Sequence, residues 1–157
     1  MQDSVAVPVK VPAPGEGKRG EAGYLSYLLR QAAAAVRLRL ERTLVGLRVT
    51  PPQFLVLTML DSYPGASGAD IARLAQLTPQ TVHGIIGNLE RARLIGRSPH
   101  PVHGWVQVIA LTKAGRALLS RCKARAVKAD DTLKAAISPD DEAVIRRWLV
   151  GLATRGE

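Results

Sequence analysis

The stretch from residue 67 to residue 112 constrains the fold of this chain more than any other part of the sequence. Apolar residues three or four apart predict two short helices there, separated by a tight connection. Two β-prone runs follow between Leu94 and Leu111, and a turn rich in Pro and Gly separates them. A helix-turn-helix followed by a hairpin is a winged helix, a shape that can place a helix in the major groove of duplex DNA.

Signals for helix starts divide the rest of the chain. Thr50 and Gln53 flank two prolines and so combine an N-cap, a first-turn Pro and a capping box. Similar starts occur at Ser67, Thr78, Thr112 and Ser138. The predicted elements are helix 1 at about 22–46, helix 2 at 51–61, helix 3 at 68–75, helix 4 at 79–92, a wing at 94–111, helix 5 at 113–135 and helix 6 at 139–153. The predicted fold class is mostly α with a small β-hairpin wing, a winged helix-turn-helix with six helices.

The first residues differ in composition from the rest. Residues 1–20 contain several Pro and Gly and no sustained apolar period, which predicts a disordered tail before a single domain over residues 21–157. Helices 1 and 6, at the two ends of that domain, are amphipathic. Their apolar stripes could fold back on the domain or pair with a second copy of the chain.

Charge and composition limit the partners. The formal net charge is +9 and the pI is about 10.4, which favours an acidic partner, nucleic acid before an anionic membrane surface. From Lys113 to Lys128 there are six basic residues and no acidic one. A solvated helix face would explain one such run alone, but its overlap with the winged-helix pattern favours DNA. Aromatic residues make up only 4%, which argues against a stacking platform for single strands, and no aromatic RNA-binding motif is visible.

Three features bear on the compartment. No apolar run approaches the roughly 18 residues that a membrane span needs. The N-terminus lacks the basic and apolar segments of a secretory signal. Cys122 is alone and cannot form an internal disulfide. We therefore expect a cytoplasmic protein without a membrane partner.

The candidate DNA contacts lie at and near the start of helix 4. They are Thr78, Gln80, Thr81, His83, Gly84 and Asn88. Gln can form two hydrogen bonds with adenine, Thr offers a hydroxyl and a methyl group, and His can donate to guanine. An outward glycine leaves room for a sugar-phosphate backbone. The alternative is that Gln80 and Thr81 are ordinary first-turn residues.

The wing adds three more candidates. Arg97 lies near its base and could enter a narrow minor groove, where the negative potential is enhanced. His100 and His103 lie at its tip and could contact phosphate. Their spacing also suggests a metal pair, but two histidines on a tip, with Cys122 distant in sequence, make a poor zinc site. We predict no metal.

Several short motifs, in this order and spacing, resemble the MarR (multiple antibiotic resistance regulator) family of bacterial winged-helix transcription regulators. They run from Thr50 to Phe54, Ile71 to Leu74, Thr81 to Ile95, Arg97 alone, and Leu111 to Gly115. The resemblance covers roughly residues 22–153 and implies a homodimer, with helices 1 and 6 in dimerisation and residues 50–112 as the DNA-binding winged unit. In such dimers the recognition helices occupy successive major grooves of a pseudo-palindrome, about one helical turn apart.

The resemblance also implies a small-molecule effector and no cofactor. Many members of the family sense a phenolic or aromatic anion between the dimerisation helices and the winged unit, a space that Tyr24, Tyr27, Arg30 and Phe54 could line. Each of these four side chains could equally belong to the core or to the dimer interface. Cys122 does not match the reactive cysteine near the N-terminus of oxidant-sensing relatives.

Two departures from the family pattern concern DNA binding. Gly84 stands where many members carry an arginine, which removes one expected contact. The wing ends in His103-Gly104-Trp105 instead of an Asp-Arg-Arg-like run, which should weaken binding in the minor groove.

The sequence predicts a sequence-specific, double-stranded DNA-binding transcriptional regulator, a ligand-responsive repressor. The alternative, motivated by Gly84 and the arginine-poor wing, is a winged-helix protein-interaction or non-specific DNA-binding module that has lost operator specificity. An enzyme is disfavoured, because the three histidines lie in no nucleophile, metal or phosphate-loop motif.

Overall fold

The computed structural model describes residues 10–99 and 107–154. Its helices are α1 (Leu25–Leu44), α2 (Pro51–Ser62), α3 (Gly68–Ala75), α4 (Pro79–Arg91), α5 (Lys113–Lys134) and α6 (Pro139–Thr154), its strands are β1 (Ile95–Pro99) and β2 (Gln107–Leu111), and a 3-10 turn spans Gly17–Arg19. The predicted winged helix-turn-helix with six helices is confirmed. The largest difference among the helix starts is at α1, which begins at Leu25 instead of at about residue 22.

The chain divides into two compact units, with the boundary after Leu38. In the first unit, the sequence predicted no regular structure before residue 21, whereas the structure has the 3-10 turn there. The Arg19 guanidinium donates to the Pro12 carbonyl at 2.6 Å and to the Gln31 side chain at 3.2 Å, which holds the turn locally. The boundary falls inside the predicted domain 21–157, whose unity stays a prediction.

The core lies in the second unit and is aliphatic. Leu44, Leu57, Ile71 and Leu89 are at most 1% exposed and come from four different helices. Their burial supplies the main driving force for packing the winged unit, at about 1.5–3 kcal/mol for each large side chain. No polar or charged residue is buried among the described residues. The core is thus one apolar cluster, to which the two helices of the helix-turn-helix both contribute.

The hairpin is antiparallel, in register from Ile95 opposite Leu111 to Pro99 opposite Gln107. Ile95 and Leu111 are buried, as is Ile109, which pairs with the exposed Arg97. Because side chains alternate between the two faces of a strand, Arg97 and Ile109 lie on the same face as the buried pair. This places Arg97 at the edge of the face that packs on the helices.

The start of α5 fixes the base of the wing. Thr112 caps α5, since its hydroxyl accepts from the Gly115 amide at 3.0 Å. The Leu94 carbonyl accepts from the Thr112 amide at 3.0 Å and from its hydroxyl at 3.1 Å. A Cβ atom on Gly115 would lie 1.9 Å from that carbonyl oxygen. The glycine is therefore required by the close approach of α5 to the chain leaving α4.

Further polar contacts tie α5 to α2 and to the end of α1. The Lys123 ammonium lies 2.6 Å from the Asp61 carboxylate. The Arg125 guanidinium donates to the carbonyls of Thr43 at 3.2 Å and Val45 at 2.7 Å, where the last turn of α1 leaves carbonyls without helical partners. These bonds satisfy the end of α1 within the second unit.

Cys122, which lies in α5 next to Lys123, is fully buried. Burial raises the pKa of its thiol, and this effect outweighs the lowering by Arg121 and Arg125. In the folded chain the thiol is therefore a small apolar core group.

The last helix, α6, has no buried residue and shows large apolar side chains to solvent. Among them are Val144, Ile145, Trp148, Leu149 and Val150, from 40% to 63% exposed. An exposed apolar surface of this kind is typical of a site of interaction with another molecule. No helix in the described residues is long and apolar enough to cross a membrane.

Candidate nucleic-acid interface

The connection between α3 and α4 is short and held by the backbone. Gln76 adopts a left-handed conformation at φ 52° and ends α3, and the Leu77 amide donates to the Ala72 carbonyl at 3.0 Å. Thr78 then caps α4 by accepting from the Thr81 amide at 3.1 Å. The two threonine hydroxyls are 2.8 Å apart. The first turn of α4 therefore has a fixed orientation relative to α3.

The two faces of α4 differ sharply in burial. Val82, Ile86 and Leu89 are buried against the core, at positions spaced one turn apart. The six candidate contacts are all exposed and follow one another around the outward side of the helix start and middle: Thr78, Gln80, Thr81, His83, Gly84 and Asn88. The structure thus brings these six residues together on one surface. Whether they touch DNA stays a prediction.

Two structural details affect how individual candidate residues could contact DNA. The side-chain carbonyl of Asn88 accepts a hydrogen bond from the Arg91 guanidinium, so only its amide nitrogen is free of that bond. A Cβ atom on Gly84 or Gly87 would meet nothing within 4 Å, so no protein neighbour requires glycine at either position. The open space at both glycines would let a sugar-phosphate backbone approach α4 closely.

Arg97 is paired. Its Nε donates to the Oε1 atom of Glu90 at 2.5 Å, with 45% of the Arg97 side chain and 30% of the Glu90 side chain exposed. Beside this pair, a concavity of about 470 Å³ opens between the start of α3, the start of α4 and the wing. It is lined by Gly68, Ala69, Pro79, Gln80, Val82, His83, Ile86, Arg97 and Ile109. Arg97 therefore shares a surface with two of the base-reading candidates.

Two features at the end of α4 were not predicted from the sequence: the ion pair of Glu90 with Arg97, and the left-handed conformation of Arg93. Arg93 follows α4 at φ 56°, and the amides of Arg93 and Leu94 donate to the carbonyls of Glu90 and Leu89 at 2.8 and 3.0 Å. This is a Schellman motif, which usually has glycine at the left-handed position. The signal for an exposed arginine there was weak, because only the helix end, and not the conformation, is visible in the sequence.

The other predicted residues fall into two groups. His100 and His103 lie outside the described residues, as do Gly104 and Trp105. In the described part of the chain, no group of three or more His, Cys, Asp or Glu could hold a metal ion.

The four candidate ligand residues are divided between the two units. Tyr24, Tyr27 and Arg30 are exposed in the first unit, where the Lys18 ammonium lies 5.9 Å from the centre of the Tyr24 ring. Phe54 is half-buried in the second unit and packs against its core. This supports the alternative interpretation for Phe54 as a core residue, while a ligand contact by any of the four stays a prediction.

Comparison with known proteins decides the family. The model of the MarR family matches residues 49–104. The HTH-type transcriptional repressor Rv2887 of Mycobacterium tuberculosis is 33% identical over 130 residues, which cover 83% of this chain and 94% of the relative. The chain belongs to the MarR family. The six helices and two strands of the described residues are consistent with a transcriptional regulator of that family, as the sequence predicted.

Solved structures of transcriptional regulators and MarR-family proteins agree in fold. Rv2887 of Mycobacterium tuberculosis in complex with DNA gives a TM-score of 0.66 at 32% identity, covering 83% of this chain and 98% of that one. The same protein with p-aminosalicylic acid gives 0.68 at 32% identity, covering 83% and 99%. The PcaV regulator from Streptomyces coelicolor, solved with its natural ligand, gives 0.74 at 25% identity, covering 87% and 96%.

Proposed function

We propose that this MarR-family protein is a ligand-responsive transcriptional repressor that binds a pseudo-palindromic operator as a homodimer. One observation carries the proposal: six polar or small residues, the N-cap Thr78 and five residues of α4, are exposed together, opposite a buried face that fixes the helix in place. The relative Rv2887, which is named a transcriptional repressor and was solved with DNA, supports it. A cytoplasmic location is part of the proposal, because a repressor must reach the chromosome.

In this proposal α4 enters the major groove by its N-terminal half. Gln80 and His83 would meet base edges, since Gln offers a donor and an acceptor for adenine and His can donate to guanine. The Thr78 and Thr81 hydroxyls are already joined at 2.8 Å, so one hydroxyl proton of the pair remains for a phosphate or a base. Arg97 would approach the adjacent minor groove. The net charge of +9 would draw the protein to the duplex before any base is read.

A second copy of the chain is proposed to cover α6. The exposed Trp148, Leu149 and Ile145 form an apolar surface that water does not stabilise, and a symmetric dimer would bury it twice. Dimerisation would also set the separation of the two α4 helices, as a pseudo-palindromic operator requires. Trp148→Asp should convert the dimer to monomers in sedimentation and abolish operator binding. Arg147→Ala, an adjacent exposed change in α6, serves as the control; if Trp148→Asp remains dimeric, α6 is not the interface.

The proposed effector is a small aromatic anion. The relative Rv2887 was solved with salicylic acid and with p-aminosalicylic acid, at 33% and 32% identity, which supports an aromatic carboxylate as the class to test first. A ligand can release DNA only if it binds the non-binding state more tightly than the DNA-bound one. Salicylate added to the preformed complex should therefore raise the dissociation constant for operator DNA. Benzyl alcohol, which lacks the carboxylate, is the control.

The DNA-binding proposal is tested by titrating the purified protein onto the DNA that flanks its own gene, with excess unrelated duplex, across a salt series. A discrete site that survives the competitor is expected. Binding that disappears into the competitor at every salt concentration would support the second candidate, a winged-helix interaction or non-specific DNA-binding module. Gly84 is the observation that favours this candidate, because it lacks a side chain at the centre of the reading face.

A further inference from the structure

We infer that Glu90 is a positioning residue for DNA recognition: it holds Arg97 at a fixed place between α4 and the wing, and so improves discrimination between sequences while lowering affinity for DNA in general. The inference rests on the proposed function. It starts from the hydrogen bond of 2.5 Å between Arg97 Nε and Glu90 Oε1.

The pair joins two elements that would both contact the duplex. Glu90 lies in the last turn of α4, one turn beyond the buried Ile86, and Arg97 lies in β1 opposite Ile109. Ile86, Ile109 and Arg97 line the same concavity as Gln80 and His83. The ion pair therefore ties the wing to the recognition helix at the edge of the reading surface.

The charge of Glu90 works against binding of phosphate. In the proposed complex this carboxylate would repel the phosphates of the DNA. It also neutralises Arg97, which would otherwise attract a phosphate of DNA of any sequence. Stability does not explain the pair well, because ion pairs this exposed contribute only about 0–1 kcal/mol. A role in fixing the orientation of the Arg97 guanidinium does explain why the Glu90 carboxylate lies at the edge of the reading surface.

The neighbouring Thr112 and Arg93 fix the other side of the hairpin. The single Thr112 hydroxyl proton is shared between the Arg93 carbonyl at 2.8 Å and the Leu94 carbonyl at 3.1 Å, at the base of the wing. With the base held there, loss of the Glu90 contact would free the Arg97 side chain without unfolding the hairpin. The expected effect of a Glu90 variant is thus on recognition and not on folding.

The test compares Glu90→Gln with the natural chain on operator DNA and on unrelated duplex, with salt series for both. Glu90→Gln should bind unrelated duplex about two- to fivefold more tightly at low salt, with a salt slope steeper by up to about one. The ratio of operator to unrelated affinity should fall about fivefold or more. Asp61→Asn is the matched control, because it also removes a carboxylate from an inter-element ion pair, at 2.6 Å from Lys123, but between α2 and α5.

A double-mutant cycle separates positioning from simple charge. If Glu90 acts through Arg97, Glu90→Gln should not lower discrimination further when Arg97→Gln is already present. Glu90→Asp, which keeps the charge, should retain more discrimination than Glu90→Gln. An unchanged ratio for Glu90→Gln, or equal losses for Glu90→Gln and Asp61→Asn, would overturn the inference. Absence of a preferred site for the natural chain would instead overturn the proposed function.

Discussion

Gly115→Ala is the substitution for which the structure and simple helix propensity predict opposite results. Gly115 lies in the first turn of α5, and alanine is favoured over glycine inside a helix by about 1 kcal/mol. Propensity alone therefore predicts a more stable protein. The structure predicts a less stable one, because the new Cβ atom would lie 1.9 Å from the Leu94 carbonyl oxygen.

The size of the effect follows from what must move. Ordinary van der Waals contact begins at 3.4 Å, so α5 and the Leu94 backbone must separate by about 1.5 Å. That separation would break the two hydrogen bonds from Thr112 to the Leu94 carbonyl, now 3.0 and 3.1 Å long. Overpacking costs about 1–3 kcal/mol and each lost hydrogen bond about 1 kcal/mol, against about 1 kcal/mol gained in propensity. The net loss expected is about 3 kcal/mol.

Thermal unfolding at one fixed protein concentration measures this effect. A loss of about 3 kcal/mol corresponds to a Tm lower by roughly 10 °C for a chain of this size. Gly87→Ala is the matched control, since it lies within α4 and its Cβ atom would meet nothing within 4 Å. Gly87→Ala should leave Tm unchanged or raise it. A Gly115→Ala protein as stable as the natural chain would refute the close contact and the reasoning built on it.

The remaining predictions concern an acid, a backbone conformation and a thiol. Hydrogen bonds from the hydroxyl and amide of Ser67 lower the pKa of Asp70 from 3.8 to about 2, so this contribution to stability is present above about pH 4 and is lost as the pH falls towards 2. The unfolding free energy of Asp70→Asn should therefore fall less steeply over that range. An unchanged slope would contradict the assignment of this pH dependence to Asp70. Arg93→Gly should raise the unfolding free energy by about 1 kcal/mol in urea, because Arg93 adopts φ 56°, whereas a decrease would show that the side chain stabilises the fold. Cys122 should resist iodoacetamide in the native protein and react after unfolding, and rapid native labelling would contradict its burial.

The helix starts could be predicted from the sequence because capping is local. The side chains of Thr50, Ser67, Thr78, Thr112 and Ser138 all accept a hydrogen bond from a backbone amide three residues ahead. Residues that contact each other within one turn leave a signature at fixed spacing, which needs no knowledge of the rest of the fold. The division of α4 into a buried and an exposed face was predictable for the same reason, since it depends only on helical period.

Contacts between elements could not be predicted in this way. The pairing of Arg97 with Glu90 depends on the register of the hairpin and on how β1 lies against α4. The requirement for Gly115 depends on a carbonyl that is distant in sequence. The left-handed Arg93 departs from the usual glycine, so residue type pointed away from its conformation. Tertiary packing decides the first two outcomes, and the geometry of the helix end, which residue type did not reveal, decides the third.

The most direct test of the central claim, that the first turns of α4 read base pairs, is base-resolved binding by Gln80→Ala. The natural chain should lose about ten- to a hundredfold in affinity when the base pair opposite Gln80 is changed in a half-site. Gln80→Ala should bind all four base pairs at that position with similar affinity, while its preferences at other positions and the half-site spacing of about one helical turn remain. A Gln80→Ala protein with the full preference at every position would contradict the account.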